Sequence, residues 1–207
     1  PLAGAQEVFD WLEGQHRSFC LVTNNSTRTP RQYQDKLQGM GIRVPLDTIY
    51  TSALATAQYL KKQYPTGAPV FAIGEAGVNE ALTEAGFWID EQAPTLVCVG
   101  LDQQLTYTKL KTATLAIRAG ARFVGTNPDR TLPSEEGLVP GNGAALAALE
   151  TATDVSPVVI GKPSATMIDL AIERIGARKD EVAIIGDRLD TDIEAGEAAG
   201  ITTVLVL

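Results

Sequence analysis

Short apolar, β-branched runs alternate with helical patterns along almost the whole sequence, and this rhythm restricts the fold more than any other feature. SFCLVT (18–23), PVFAI (69–73), TLVCV (95–99), ARFVG (121–125), PVVI (157–160), EVAII (181–185) and TTVLV (202–206) read as strands. Apolar residues recur at helical spacing near 4–14, 52–63, 76–85, 107–119, 142–152, 165–175 and 192–199. In the first of these, Val8, Phe9, Trp11 and Leu12 supply the apolar face. Thr29-Pro30 offers a capping hydroxyl and a preset first turn for one more helix, which stops around Gly39–Gly41. Strands separated by helices of this length can share a sheet only through crossover connections, so the sheet is mainly parallel. The fold class is α/β. Apolarity is continuous in the last three strands, which predicts that both of their faces are covered.

Composition narrows the function. Hydrophobic residues make up 44% and charged residues 20% of 207, the balance of a globular chain with a sizeable core. A formal charge of −8 opposes general nucleic-acid binding, which needs a basic footprint. It leaves room for a small phosphorylated metabolite, because a few donors and a cation can reverse the field within one cleft. No apolar run approaches the roughly 20 residues that cross a bilayer. The opening PLAGAQEVFDWLEG has neither the basic start nor the apolar centre of a signal peptide, and a cytoplasmic location is expected. Cys20 and Cys98 each sit in an apolar run and read as buried free thiols.

Ligands of open parallel sheets bind beyond the carboxyl ends of the strands, and three strand ends are chemically distinctive. Thr23-Asn24-Asn25-Ser26 follows Val22 with a hydroxyl, amides and a helix start, an arrangement suited to cradle an oxyanion. Taken alone, it is equally a polar turn that caps the next helix. Gly161-Lys162-Pro163-Ser164 follows Ile160 and places a point charge where a phosphate could sit. A lone lysine there is otherwise a solvated loop residue. Gly186-Asp187-Arg188-Leu189-Asp190-Thr191-Asp192 follows Ile185, and hard carboxylate oxygens at a strand tip suit Mg²⁺. Capping is the plainer role for Asp190 and Asp192 and a poorer one for Asp187. Phosphoryl transfer needs anion donors, a charge-holding cation and an in-line nucleophile. The first two are present.

TNNSTRTP, GKPS and GDRLDTDI, in this order, resemble the second, third and fourth motifs of the haloacid dehalogenase superfamily. The long segment between the first two, with TNPD at 126–129, resembles the branch that includes NagD-like, 4-nitrophenyl, phosphoglycolate and pyridoxal phosphate phosphatases. The resemblance implies a Rossmann-like core at 1–52 and 154–207, with an inserted α/β cap at 53–153. It also implies that Thr23, Asn24 and Asn25 bind phosphate, with Thr23 and Lys162 in catalytic roles. Lys162 would neutralise phosphate and orient the nucleophile. Asp187 would ligate Mg²⁺, with Asp192 supporting the metal. Asn127, Asp129 and Arg130, at the end of a cap strand, would contact the rest of the substrate; a simple Asn-Pro-Asp turn is an equal reading. A homodimer formed through the cap is a further implication.

The family also carries an Asp-x-Asp-Gly strand whose first Asp attacks phosphorus and whose second moves the proton. The acidic residues ahead of Thr23 are Glu7, Asp10 and Glu13, all within a helical pattern. These 207 residues by themselves are therefore expected not to form an aspartyl-phosphate. Two other readings stay open. One is a phosphate-binding or interaction protein without turnover. The other is a different reaction on the same core, such as dehalogenation, which the acidic cluster disfavours because it requires no Mg²⁺. Gly141-Asn142-Gly143 lacks the third glycine and the preceding strand of a dinucleotide fingerprint.

Overall fold

The computed structural model describes residues 4–206. Its chain begins with α1 (Ala5–Gly14), β1 (Leu21–Thr23), α2 (Pro30–Gly39), β2 (Ile49–Thr51) and α3 (Ser52–Gln63). β1 and β2 pair in parallel, with Leu21 opposite Ile49 and Thr23 opposite Thr51. Thr29 opens α2 with a reciprocal cap: its hydroxyl accepts from the Gln32 N–H, and its own N–H donates to Gln32 Oε1. Two otherwise orphaned donors of the first turn are thereby satisfied.

The middle of the chain builds the largest sheet. Along the sequence come β3 (Pro69–Ile73), α4 (Ala76–Glu84), β4 (Trp88–Ile89), β5 (Leu96–Val99), α5 (Tyr107–Arg118) and β6 (Arg122–Gly125). An antiparallel hairpin of β7 (Thr131–Ser134) and β8 (Gly137–Pro140) precedes α6 (Asn142–Thr153), β9 (Val158–Val159) and α7 (Ala165–Ile175). Five strands lie parallel in the order β4-β3-β5-β6-β9. Adjacent residues of a strand point to opposite faces, and here both faces are covered. Val70, Leu96, Cys98 and Val124 pack with α3, α4 and α7, while Phe71, Ile73, Val97, Val99 and Phe123 pack with α5 and α6. This explains the unbroken apolarity of LVCV.

The chain closes with β10 (Ala183–Gly186), a π-helical turn at Leu189–Ile193, α8 (Glu194–Ala199) and β11 (Thr202–Leu205), β10 and β11 pairing in parallel. Both thiols are free, and burial pushes Cys20 up to about 11 and Cys98 up to about 12. Among the described residues, no helix is long and apolar enough to cross a membrane.

Several expectations need correction. The sheets do not divide at residue 154: β9 pairs with β6, Val124 opposite Val158, so the strand before Gly161 extends the five-stranded sheet. The ends of the expected core range, 1–3 and 207, lie outside the described residues. Continuous apolarity does not mean double burial in β10 and β11, which form a sheet of their own and leave Ile185 66% exposed. Of the four apolar residues expected on the inner face of α1, Phe9 and Leu12 are half-buried, Phe9 meeting Phe19 at 5.4 Å between ring centroids, while Val8 and Trp11 are exposed.

Candidate functional site

The loop that leaves β1 is shaped by its own side chains. Asn25 Oδ1 accepts from the Thr27 N–H at 2.8 Å and from its hydroxyl at 2.7 Å, and Thr23 Oγ1 accepts from the Asn25 N–H at 3.2 Å. Such local bonds offer the backbone an alternative to helix or sheet and fix a turn. The five-stranded sheet then holds this loop from outside. Gly77, at the start of α4, donates its N–H to Thr27 O at 2.9 Å. A Cβ at Gly77 would lie 2.5 Å from Ser26 O, so only glycine permits this approach. Ser26 Oγ accepts from the Leu101 N–H, and the buried Ser52 hydroxyl donates to Asn24 O at 2.5 Å.

Lys162 lies at the centre. It follows β9, is only 8% exposed, and precedes a cis peptide bond to Pro163. Its Nζ donates to Asp192 Oδ1 at 2.6 Å and to Val22 O at 3.2 Å, linking the end of β1 to the turn after β10. Asp192 is equally buried, and its Oδ2 accepts from the Arg188 N–H at 3.2 Å. A Cβ on Gly186 would fall 2.3 Å from Asp192 Cβ, so this glycine lets the carboxylate reach the lysine. A buried charge pair of this kind persists only when both partners are held and hydrogen-bonded.

The segment after β6 completes the cluster. Asn24 Nδ2 donates to Asp129 Oδ1 at 3.0 Å and to Lys162 O at 2.8 Å. Asn127, 3% exposed, donates its amide to Asn24 O at 2.7 Å and accepts the Asp129 N–H at 3.1 Å. Burial raises the Asp129 carboxyl above its ordinary value. The Asn24 hydrogen bond and the charges of Arg188 and Lys162 pull the other way, and Asp190 adds to the rise. Arg188 pairs with Asp190 at 2.8 Å on the open side, and that contact lowers the Asp190 carboxyl.

Thr23, Asn24, Asn25, Lys162, Asp192, Asn127 and Asp129 therefore converge, but not all in the expected capacity. Both amide hydrogens of Asn24 are committed to protein partners, so its side chain is a strut and not a free phosphate donor. Asn127 is interior and cannot face a substrate, whereas Asp129 stands at the edge of the cluster and Arg130 is exposed. Ser52 was not singled out by sequence, and Ser26 and Arg188 stood there only as members of the Thr23–Ser26 and Gly186–Asp192 motifs, without a role of their own.

Asp192 has one oxygen on Lys162 and the other on a backbone N–H, contacts that suit a residue supporting a metal indirectly and not ligating it. Among the described residues no group of three or more His, Cys, Asp or Glu side chains stands ready to hold a metal. Asp187 is exposed at the strand tip and forms no ion pair among the described residues. One hard carboxylate fits Mg²⁺, which takes one or two protein ligands and completes its shell with water and phosphate oxygens.

A parallel α/β sheet core with a buried lysine–aspartate pair and an acidic strand tip defines the class: the chain belongs to the haloacid dehalogenase-like hydrolases, and within them it is a phosphatase. Residues 1–88 match the family described as haloacid dehalogenase-like hydrolase, and residues 159–207 match a related hydrolase-like family. The chain is similar to an acid sugar phosphatase of Staphylococcus aureus, with 46% identity over 204 residues, 98% of this chain and 78% of that protein. Among solved structures it resembles a thermostable NPPase double mutant from Geobacillus stearothermophilus, with a TM-score of 0.95 and 41% identity over 99% of this chain and 82% of that one. NagD from E. coli K-12 gives a TM-score of 0.93 and 34% identity over 100% of this chain and 80% of the other.

Proposed function

We propose that this phosphatase hydrolyses small phosphomonoesters with Mg²⁺, through an aspartyl-phosphate whose nucleophile is carried on a strand outside these 207 residues. The observation that carries the reading is the placement of Lys162 between two open sheet edges. Among the described residues β1 is paired only with β2, and β10 only with β11. Yet Val22 and Ile184 belong to one apolar cluster with α7 and α8. A strand laid between β1 and β10 would satisfy both edges and cover Ile185. It would also present its terminal side chain to the Lys162 ammonium, which already spans from Val22 O to Asp192.

In this arrangement Lys162 neutralises the phosphate and the attacking carboxylate. The loop at Thr23–Asn25 offers backbone N–H groups and a hydroxyl to phosphoryl oxygens. Bound at Asp187, Mg²⁺ would screen the charge on those oxygens. Attack by the carboxylate forms a phosphorus–oxygen bond as the ester oxygen leaves and takes a proton, and water then cleaves the acyl phosphate.

Asp129 faces what lies beyond the phosphate, and a carboxylate there suits hydroxyl-bearing leaving groups such as sugar phosphates. Phosphoglycolate, pyridoxal phosphate and 4-nitrophenyl phosphate remain candidate esters. The names of relatives agree with this range: one is an acid sugar phosphatase, another a p-nitrophenyl phosphatase, and a third a glycerol phosphate phosphatase in complex with calcium. Pairing of two copies would use the cap, where Leu138 and Tyr107 are exposed and Leu105, Leu132 and Val139 line an apolar cavity of about 400 Å³.

The test compares the 207-residue chain with a version extended by an Asp-x-Asp-Gly strand, on a panel of phosphate esters with and without Mg²⁺. Turnover by the extended chain alone, lost on Asp187→Asn, supports the reading. Mg²⁺-dependent turnover by the short chain would overturn the external nucleophile. Phosphate binding without turnover by the extended chain would favour a binding protein.

A further inference from the structure

Helix α6 begins inside the protein, and its first residue makes contacts that helix formation does not require. Asn142 is 1% exposed. Its side-chain amide donates to Asn127 O at 2.8 Å and to Val99 O at 3.2 Å, so both hydrogens serve carbonyls at the ends of neighbouring strands. The glycines on either side seat the same loop. Gly141 N–H donates to Arg130 O at 2.9 Å, and Gly143 N–H donates to Asp129 O at 2.8 Å. A Cβ on Gly141 would lie 2.3 Å from Asp129 O, and one on Gly143 would lie 2.4 Å from Pro128 O. The Gly-Asn-Gly segment is therefore a fitted support for residues 127–130.

From that support the contacts run in one direction toward the anion cradle. Asn142 holds the Asn127 carbonyl; the Asn127 amide holds the Asn24 carbonyl; the Asn24 amide holds Asp129 and the Lys162 carbonyl. The amide oxygens of Asn24 and Asn142 are both buried without a partner. Leaving a buried acceptor unpaired is costly. What orients both side chains is the set of groups that their N–H hydrogens engage.

We infer that Asn142 is a positioning residue for the phosphate cradle, acting through Asn127 on Asn24 and on the Asp129 carboxylate. The inference rests on the reading of that cradle as a phosphate site. Without the Asn142 amide, Asn127 loses its anchor, Asn24 turns more freely, and the Lys162 carbonyl is no longer held from the sheet side.

The experiment uses Asn142→Ala, Asn24→Ala and the double variant, with inorganic phosphate titrated calorimetrically in the presence of Mg²⁺. Each single change should weaken phosphate binding about five- to tenfold, the factor expected for one lost hydrogen bond. The double variant should bind no more weakly than Asn24→Ala alone, because the two residues act along one path. Additive losses would overturn the inference. A second readout is independent of phosphate: exchange of the Asn24 side-chain amide protons, followed by NMR, should quicken in Asn142→Ala. Unchanged exchange would also overturn it. If the unaltered protein binds no phosphate, the cradle reading fails, and the exchange data still decide whether Asn142 positions Asn24. Should Asn142→Ala not fold, Asn142→Ser, which keeps one short donor at the helix start, should show the same pattern with smaller amplitude.

Discussion

Replacing Lys162 by methionine keeps most of the buried stem and removes the charge. The Asp192 carboxylate would then be left with a single partner, the Arg188 N–H at 3.2 Å, in a pocket where both side chains are about one-tenth exposed. Removing one member of a buried pair typically costs about 3–5 kcal/mol, because the remaining charge cannot regain its hydration. At roughly 2–4 °C per kcal/mol for a chain of this size, the melting temperature should fall by about 6–20 °C. Thermal and urea unfolding followed by circular dichroism at neutral pH measure this directly. Adding Asp192→Asn should recover a substantial part of the loss, since a neutral amide still accepts from Arg188 N–H and leaves no buried charge. Phosphate affinity, in contrast, should stay low in both variants. A loss below about 1 kcal/mol would place the pair with exposed ion pairs and refute its assignment as buried. A double variant no more stable than Lys162→Met would refute the orphaned carboxylate as the source of the cost.

Two further outcomes follow from the same cluster. Burial raises the Asp129 carboxyl above 3.8 in the folded state, so the folded protein keeps this proton longer than the unfolded chain. Its contribution to stability is therefore greatest at low pH and falls as pH rises from 3.8 through the folded value, a slope that urea titrations should show flattened in Asp129→Asn. At Gly186 an added methyl would meet Asp192 Cβ at 2.3 Å, so Gly186→Ala should cost about 1–3 kcal/mol and weaken phosphate binding as Lys162→Met does. Unaltered stability and phosphate affinity in this variant would show that the turn after β10 yields without moving Asp192.

Much of the architecture was legible because apolar periodicity is a local property. PVFAI, LVCV and RFVG could be placed as strands, and α3, α5 and α7 as helices, from residues a few positions apart. The strands that escaped reading are short or irregular. β2 is the three residues Ile49–Thr51, β4 is Trp88–Ile89, and the β7–β8 hairpin contains Pro133 and Pro140, which read as breakers. Burial was less legible than identity. AIIG and LVCV look alike in sequence, but Ile185 is exposed and Val97 is not, because α5 and α6 cover the face to which Val97 points, whereas α7 and α8 cover the face of Ile184, opposite that of Ile185.

The site divides in the same way. Sequence by itself determined which chemical groups stand at the strand ends: the hydroxyl and amides of Thr23–Asn25, the ammonium of Lys162 and the carboxylates of Asp187 and Asp192. A residue's type and its position after a strand are written locally. Tertiary structure alone decided what each group does. Asp192 binds Lys162 across 30 residues of sequence, Asn24 reaches Asp129 across 105, and Asn127 faces inward to the Asn24 carbonyl. Donors saturate: an N–H engaged by a distant partner is no longer available to a ligand. That competition is settled by the packing of the two ends of the chain against each other, and it leaves no trace in the spacing of residues along either one.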